Sequence, residues 1–262
     1  MLAGAAEVLG DARFMLMIVV YSVFWILYFQ TFGSMLWYLR DVIDKEPVST
    51  AVTSLLRGIG LPITFRFDIE HVTAINAGTI VLLQVVVSRI VANRKALPTM
   101  VAGMLLGALG FVLLALCGFN PWIFIAGISI FSIGEMTAHP KYYSFIGLVA
   151  PQDRKAVYMG YAFLYGVFGS LLGSNLGAFM YARMLEPILA TAGVTGKATV
   201  FWLIFAVLDV FAAAALVMFV AFLVLGLTAD PVQIKTVVQA LIFLALGLGG
   251  IIINRRGLRS AA

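Results

Sequence analysis

The chain is poor in the residues on which water-exposed, metal-bound and catalytic proteins depend. It has one cysteine, two histidines and only 11% charged residues. The single cysteine, Cys117, excludes an intrachain disulfide. It lies in an apolar run and reads as a small packing residue. Two histidines and one cysteine leave no zinc or haem ligand set, so no metal is expected. No nucleotide motif is present either. The stretch from Gly193 through Gly196, Lys197 and Thr199 resembles a phosphate loop but has the wrong spacing. No Ser-His-Asp set or aspartate pair stands out, so the chain is not expected to be an enzyme, and no cofactor is expected beyond a coupling proton. Sustained polar–apolar alternation is also lacking, which argues against a transmembrane barrel.

What is present is apolar surface. Hydrophobic residues make up 63% of the chain, and mean hydropathy is +1.07. A soluble domain carries about 25% charged residues. The 11% here cannot coat a water-facing surface of this size, so the lipid bilayer is the expected partner. The net charge of +5 does not point to nucleic acid, because the basic residues lie between apolar runs and form no patch.

Hydrocarbon about 30 Å thick needs roughly 20 helical residues. Six runs meet that length: 14–39, 72–92, 99–119, 122–150, 157–182 and 201–227. A seventh run, 237–254, is short and broken by Gly247, Gly249 and Gly250. Its place is either across the membrane or at the interface. The expected fold is all-α, a polytopic membrane helix bundle of six core transmembrane helices with this run as an optional seventh. Residues 1–13 form an N-terminal segment, 14–227 the bundle, and 228–262 the extra run with a basic tail. The first run is too long for a signal peptide, and Glu7 and Asp11 spoil a positive n-region, so it reads as an uncleaved span. The long connection 40–71 carries mixed charge and is broken by Pro47, Gly58, Gly60 and Pro62. A surface helix near 48–57 and an extended stretch after it are expected there.

Lysine and arginine bias in short loops sets the orientation. With the long connection left out, Arg89, Arg94, Lys95, Arg154, Lys155 and Lys235 fall on one side, against Arg183 and Lys197 on the other, and the long connection adds four to the latter. The short loops place the N-terminus in the cytoplasm and the 40–71 connection outside, and the expected location is the cell inner membrane. Within the third run, Gly103, Gly107 and Gly110 recur at spacings that let helix backbones approach closely.

Ionisable and polar groups deep in spans are costly, and they face a cavity or a partner. Glu135 lies near the middle of the fourth run. His139 is one turn later on the same face, followed by Pro140, which is expected to kink the helix. Lys141 lies about 240° round from Glu135 and points elsewhere or snorkels. Asp209 is equally odd in the sixth run, as either a helix-pairing group or a functional one. The first run carries Phe24, Trp25, Tyr28, Gln30, Thr31 and Ser34, a polar-aromatic stripe that reads as aromatic packing or as a cavity wall. Asn76, near the start of the second run, is a similar case.

Several of these residues fall in a familiar order. The stretch Phe24-Trp25, Leu27, Gln30, Gly33-Ser34 resembles the seventh helix of the proton-dependent oligopeptide transporters of the major facilitator superfamily. Ile75-Asn76 resembles the opening of the eighth helix, and 89–98 the basic loop after it. Gly134-Glu135, Pro140, Ala150-Pro151, Met159-Gly160 and Phe163-Leu164 resemble the tenth and eleventh helices. The sequence departs from that pattern at Ala77 and Ala162 and in the long 40–71 connection.

The resemblance spans about 14–227 and implies the C-terminal half of such a transporter, built from two inverted three-helix repeats. It implies a cavity with Glu135 facing the substrate amino terminus and Asn76 as a substrate contact. Trp25, Tyr28, Gln30 and Ser34 would complete the substrate-binding set, with Glu135 and His139 coupling protons. The expected partners are a small-molecule or peptide substrate and an N-terminal six-helix half or second subunit. The expected function is proton-coupled uptake of short peptides or similar small polar solutes. The alternatives are a transporter of a sugar, drug or anion, and a non-transporting membrane assembly subunit.

Overall fold

The computed structural model describes residues 8–191 and 193–224. The run at 237–254, Lys235 and the basic tail lie outside the described residues. The described chain is all-helical, and six of its helices are long and apolar enough to cross a membrane. The chain is therefore a multi-pass membrane protein.

The first span is two helices, α1 (Ala12–Tyr28) and α2 (Ser34–Asp41), joined through a 3-10 turn at Phe29–Phe32. Asp11 starts α1 by accepting from the amides of Arg13 and Phe14, 3.1 Å each, which satisfies otherwise orphaned donors. A surface helix α3 (Glu46–Gly58) follows, then an extended strap back to the second span, α4 (Glu70–Val91). The third and fourth spans are α5 (Ala96–Leu116) and α6 (Pro121–Val149). Asn120 caps α6, with Pro121 at its first position, where a missing N–H costs nothing. The fifth span is also broken, into α7 (Lys155–Tyr161) and α8 (Leu164–Met184). A 3-10 turn at Glu186–Ile188 leads to the sixth span, α9 (Val194–Val224). That helix begins a full turn and more before 201, so Lys197 lies on it and not in a loop. The expected kink residue, Pro140, lies inside a single continuous helix, α6.

The most extensive contacts between spans have a regular order. The third packs on the fourth and on the sixth, the first on the fifth and the sixth, and the second on the fourth. Exchanging first with fourth, second with fifth and third with sixth leaves this set unchanged. Two inverted three-helix units would generate that pattern.

Glycine seams bring the pairs together. A Cβ on Gly103 would lie 2.7 Å from the Gly134 carbonyl oxygen and the Ala138 backbone, and one on Gly110 would lie 2.8 Å from the Gly127 carbonyl oxygen. A Cβ on Gly134 would meet the Gly103 carbonyl oxygen at 2.5 Å. The α5–α6 contact is thus backbone on backbone. Gly169 and Gly173 do the same for α8 against Trp25 and Ile26 of α1. Lys141 does not snorkel freely. Its ammonium donates to the carbonyls of Ala92 (3.0 Å) and Arg94 (2.9 Å), closing the end of α4.

The seam makes a direct prediction. Gly134→Ala should destabilise the bundle by about 1–3 kcal/mol through overpacking against immobile backbone. Gly160→Ala, which would meet nothing within 4 Å, should be close to neutral. Thermal unfolding of the two variants in detergent separates them.

Candidate functional site

Glu135 is the middle residue of the 29-residue α6, so its carboxyl sits near the centre of the membrane. It is half-buried, and Asn76 of α4 reaches it. One amide nitrogen of Asn76 donates to Glu135 Oε2 at 3.2 Å and to Ser132 Oγ at 2.8 Å. Ser132 is fully buried and donates in turn to the Ile128 carbonyl at 2.9 Å. Thr79 Oγ1 donates within α4 to the Ile75 carbonyl at 2.7 Å and lies 3.3 Å from Ser129 Oγ. Polar contacts therefore join α4 and α6.

The aromatic wall lies beside it. Trp25 packs against Tyr28 (ring centroids 4.5 Å apart), Tyr165 (4.6 Å) and His139 (5.0 Å). The Tyr143 and Tyr165 hydroxyls are 3.0 Å apart, joining α6 to the start of α8. The indole N–H of Trp25 is buried and has no acceptor among the described residues.

His139 is held by Tyr21, whose hydroxyl lies 3.3 Å from Nδ1. It shares a face with Glu135, as its spacing implies, but no hydrogen bond joins the two. The carboxylate is reached by Asn76 and not by His139. Trp25, Tyr28, Asn76, Glu135 and His139 therefore gather on the α1–α4–α6 side of the bundle.

Gln30 and Ser34 do not join this group. Gln30 is 1% exposed. Its amide donates to the Gly173 carbonyl of α8 at 2.9 Å and to the Ile26 carbonyl at 3.0 Å. Ser34 donates to Gln30 Oε1 at 2.7 Å. Both sit where Gly177 leaves room, and a Cβ there would collide with Gln30 Oε1. They fasten the broken first span to α8. The 3-10 turn at Phe29–Phe32 interrupts the helix here, and the Gln30 side chain bridges the break.

Asp209 is a separate case. It is fully buried, and neither carboxyl oxygen has a partner among the described residues. It lies against the Cα of Gly107, in space that a side chain would fill, with Phe24 alongside.

Sequence reasoning missed Ser132, although its place three residues before Glu135 puts it on the same helix face. Tyr21, Tyr143 and Tyr165 were missed because only the tertiary fold brings them to His139 and Trp25. Among the described residues, no group of three or more His, Cys, Asp or Glu could hold a metal ion.

No protein-family model matches the chain, and no curated protein matches it. The site is therefore read from its own geometry.

Gln30→Leu should lower stability by roughly 1 kcal/mol, the net worth of a buried hydrogen bond between membrane helices. Tyr28→Leu, at the half-buried edge of the aromatic wall, should cost less. A comparison of unfolding midpoints for the two folded variants checks the assignment.

Proposed function

We propose that the bundle forms one wall of a secondary active transporter, with Glu135 as the group that meets a cationic end of the substrate. One observation carries this reading. A carboxyl at the centre of a span is half-open, oriented by Asn76, and flanked by aromatic rings. The ion pairs Arg40–Asp41, Lys45–Asp68 and Arg154–Asp153 join other residues, and Glu135 takes part in none of them. The site has an acid waiting for a cation. Carboxylate and aromatic faces together attract an ammonium group.

The coupling follows from elementary electrostatics. A carboxyl in a water-poor cavity is stable either with a proton or beside a cation. Exchange of a proton for a substrate amine at Glu135 is the step a proton symporter needs. His139, one turn away and bound to Tyr21, would receive the proton that Glu135 gives up. Short peptides or small amine-bearing solutes fit this chemistry, in line with the resemblance to the proton-dependent oligopeptide transporters.

The second and fifth spans support a further wall opposite this one. Only 17% and 28% of their most apolar windows are buried. Yet the fifth span exposes Asn175 in mid-helix, bonded to the Leu171 carbonyl at 2.6 Å. A polar side chain at that depth suits a cavity or a protein neighbour better than lipid. An N-terminal six-helix half or a second subunit would supply it. Alternating access would then rock the two halves about the Glu135 site. A non-transporting assembly role is the second reading, favoured by the placement of Gln30 and Ser34 in a helix contact.

The test is gradient-driven uptake of a labelled short peptide into cells expressing a complete transporter that contains this half. Glu135→Gln can still accept from Asn76, so the fold is retained, but it cannot titrate. Loss of uptake in that variant is expected. Undiminished proton-driven uptake rejects the role assigned to Glu135. No uptake by the unaltered complete transporter, correctly inserted, favours the assembly reading.

The proposed orientation places Arg94, Lys95, Arg154 and Lys155 in the cytoplasm. Cysteine at Lys95 or Lys155, in a Cys117→Ala background, should resist membrane-impermeant thiol reagents in intact cells. Rapid labelling at both positions reverses the topology.

A further inference from the structure

The segment between the first and second spans forms a closed hairpin on the membrane face. Its feet are bridged by Lys45 and Asp68, 3.1 Å apart. The hydrogen bond from Lys45 draws the Asp68 carboxyl below its ordinary range. The strap is tied to α3 by side chains of that helix. Thr53 Oγ1 accepts from the Phe65 amide at 2.9 Å and donates to its carbonyl at 3.3 Å. Ser49 Oγ accepts from the Phe67 amide at 3.0 Å, and Phe67 is buried. Gly60, at φ +84°, makes the reversal at the tip. The left-handed backbone there favours glycine.

At 100° per residue, α3 has three faces. Ser49, Val52, Thr53 and Leu56 point inward. Thr50, Ser54 and Arg57 cluster within about 60° on the outward side. Leu55 lies about 140° round from Thr50, and Ile59 follows directly after the helix; they are 67% and 66% exposed. The strap continues that edge with Leu61 and Ile63, also exposed. The tying bonds prevent these four side chains from folding under the helix.

Two observations name the occupant of this edge. The hairpin root is joined to the loop before α6 by a bond from the Asp44 amide to the Phe119 carbonyl, 2.9 Å. Phe119 and Trp122, at that same end of α6, are both exposed, as aromatic residues at a membrane interface are. The apolar edge therefore continues the lipid-facing surface of the bundle. Arg66, on the strap that carries Leu61 and Ile63, is exposed.

We propose that this hairpin is an interfacial anchor, with Leu55, Ile59, Leu61 and Ile63 seated at the headgroup–acyl boundary of the bilayer. Its polar face, Thr50–Ser54–Arg57, stays in water. The anchor would hold the ends of the first and second spans, and hence Asn76, at a fixed depth. It does not rest on the transport reading.

The test uses the full chain in phospholipid vesicles, with single nitroxides on Leu55→Cys, Ile59→Cys, Ile63→Cys and Thr50→Cys in the Cys117→Ala background. Collisional relaxation by oxygen, which concentrates in lipid, is compared with relaxation by a water-soluble nickel chelate. Positions 55, 59 and 63 should be relaxed several-fold more by oxygen, with the preference reversed at position 50. Equal access of nickel to all four positions overturns the proposal. So does shielding of 55, 59 and 63 from both reagents, which would put a protein surface there.

Discussion

Everything in this bundle depends on how closely helix backbones approach one another. Lipid tails are as apolar as leucine, so burial of apolar side chains gives membrane helices little reason to associate. Contact must come from van der Waals packing and from hydrogen bonds across helices. The glycines of α5 and α6 supply the first. Gly103, Gly110, Gly127 and Gly134 bring the two backbones together, leaving no room for a Cβ on either side. That contact locks α6 in rotation and depth. Because Gly134 is the residue before Glu135, the seam also decides where the carboxyl points.

The hydrogen bonds supply the second. Asn76 ties α4 to α6 at the carboxyl itself, and Gln30 ties the broken first span to α8. Asp–tyrosine bonds close both ends of the first and fifth spans. Tyr158 donates to Asp11 at 3.0 Å, and Tyr181 donates to Asp41 at 2.8 Å. These two spans are therefore clasped at both membrane faces and at the middle. The proposed rocking of two halves would require such a pair to move as one body.

Much of this was legible in the sequence. Apolar runs of span length fixed the number of helices, and the glycine spacing of 103, 107 and 110 announced the seam. Glu135 stood out because a carboxyl in mid-span is rare enough to need a reason. The breaks at Phe29–Gly33 and at Ala162–Phe163 were not legible, since both lie within continuous apolar runs with no proline. Gln30 was misjudged for a related reason. A polar side chain inside a span reads equally well as a cavity contact or as a bridge to a neighbouring helix, and only the position of Gly173 and Gly177 decides. The His139–Tyr21 contact spans 118 residues of sequence, and no local spacing reports it.

The central claim is that Asn76 and Glu135 form one unit inside the bundle. A double-mutant cycle between Asn76→Ala and Glu135→Ala, read by reversible unfolding in lipid–detergent micelles, tests it most directly. A coupling of roughly 0.5–2 kcal/mol is predicted, the range of interhelical hydrogen bonds in membranes. Strict additivity of the two substitutions would contradict the account.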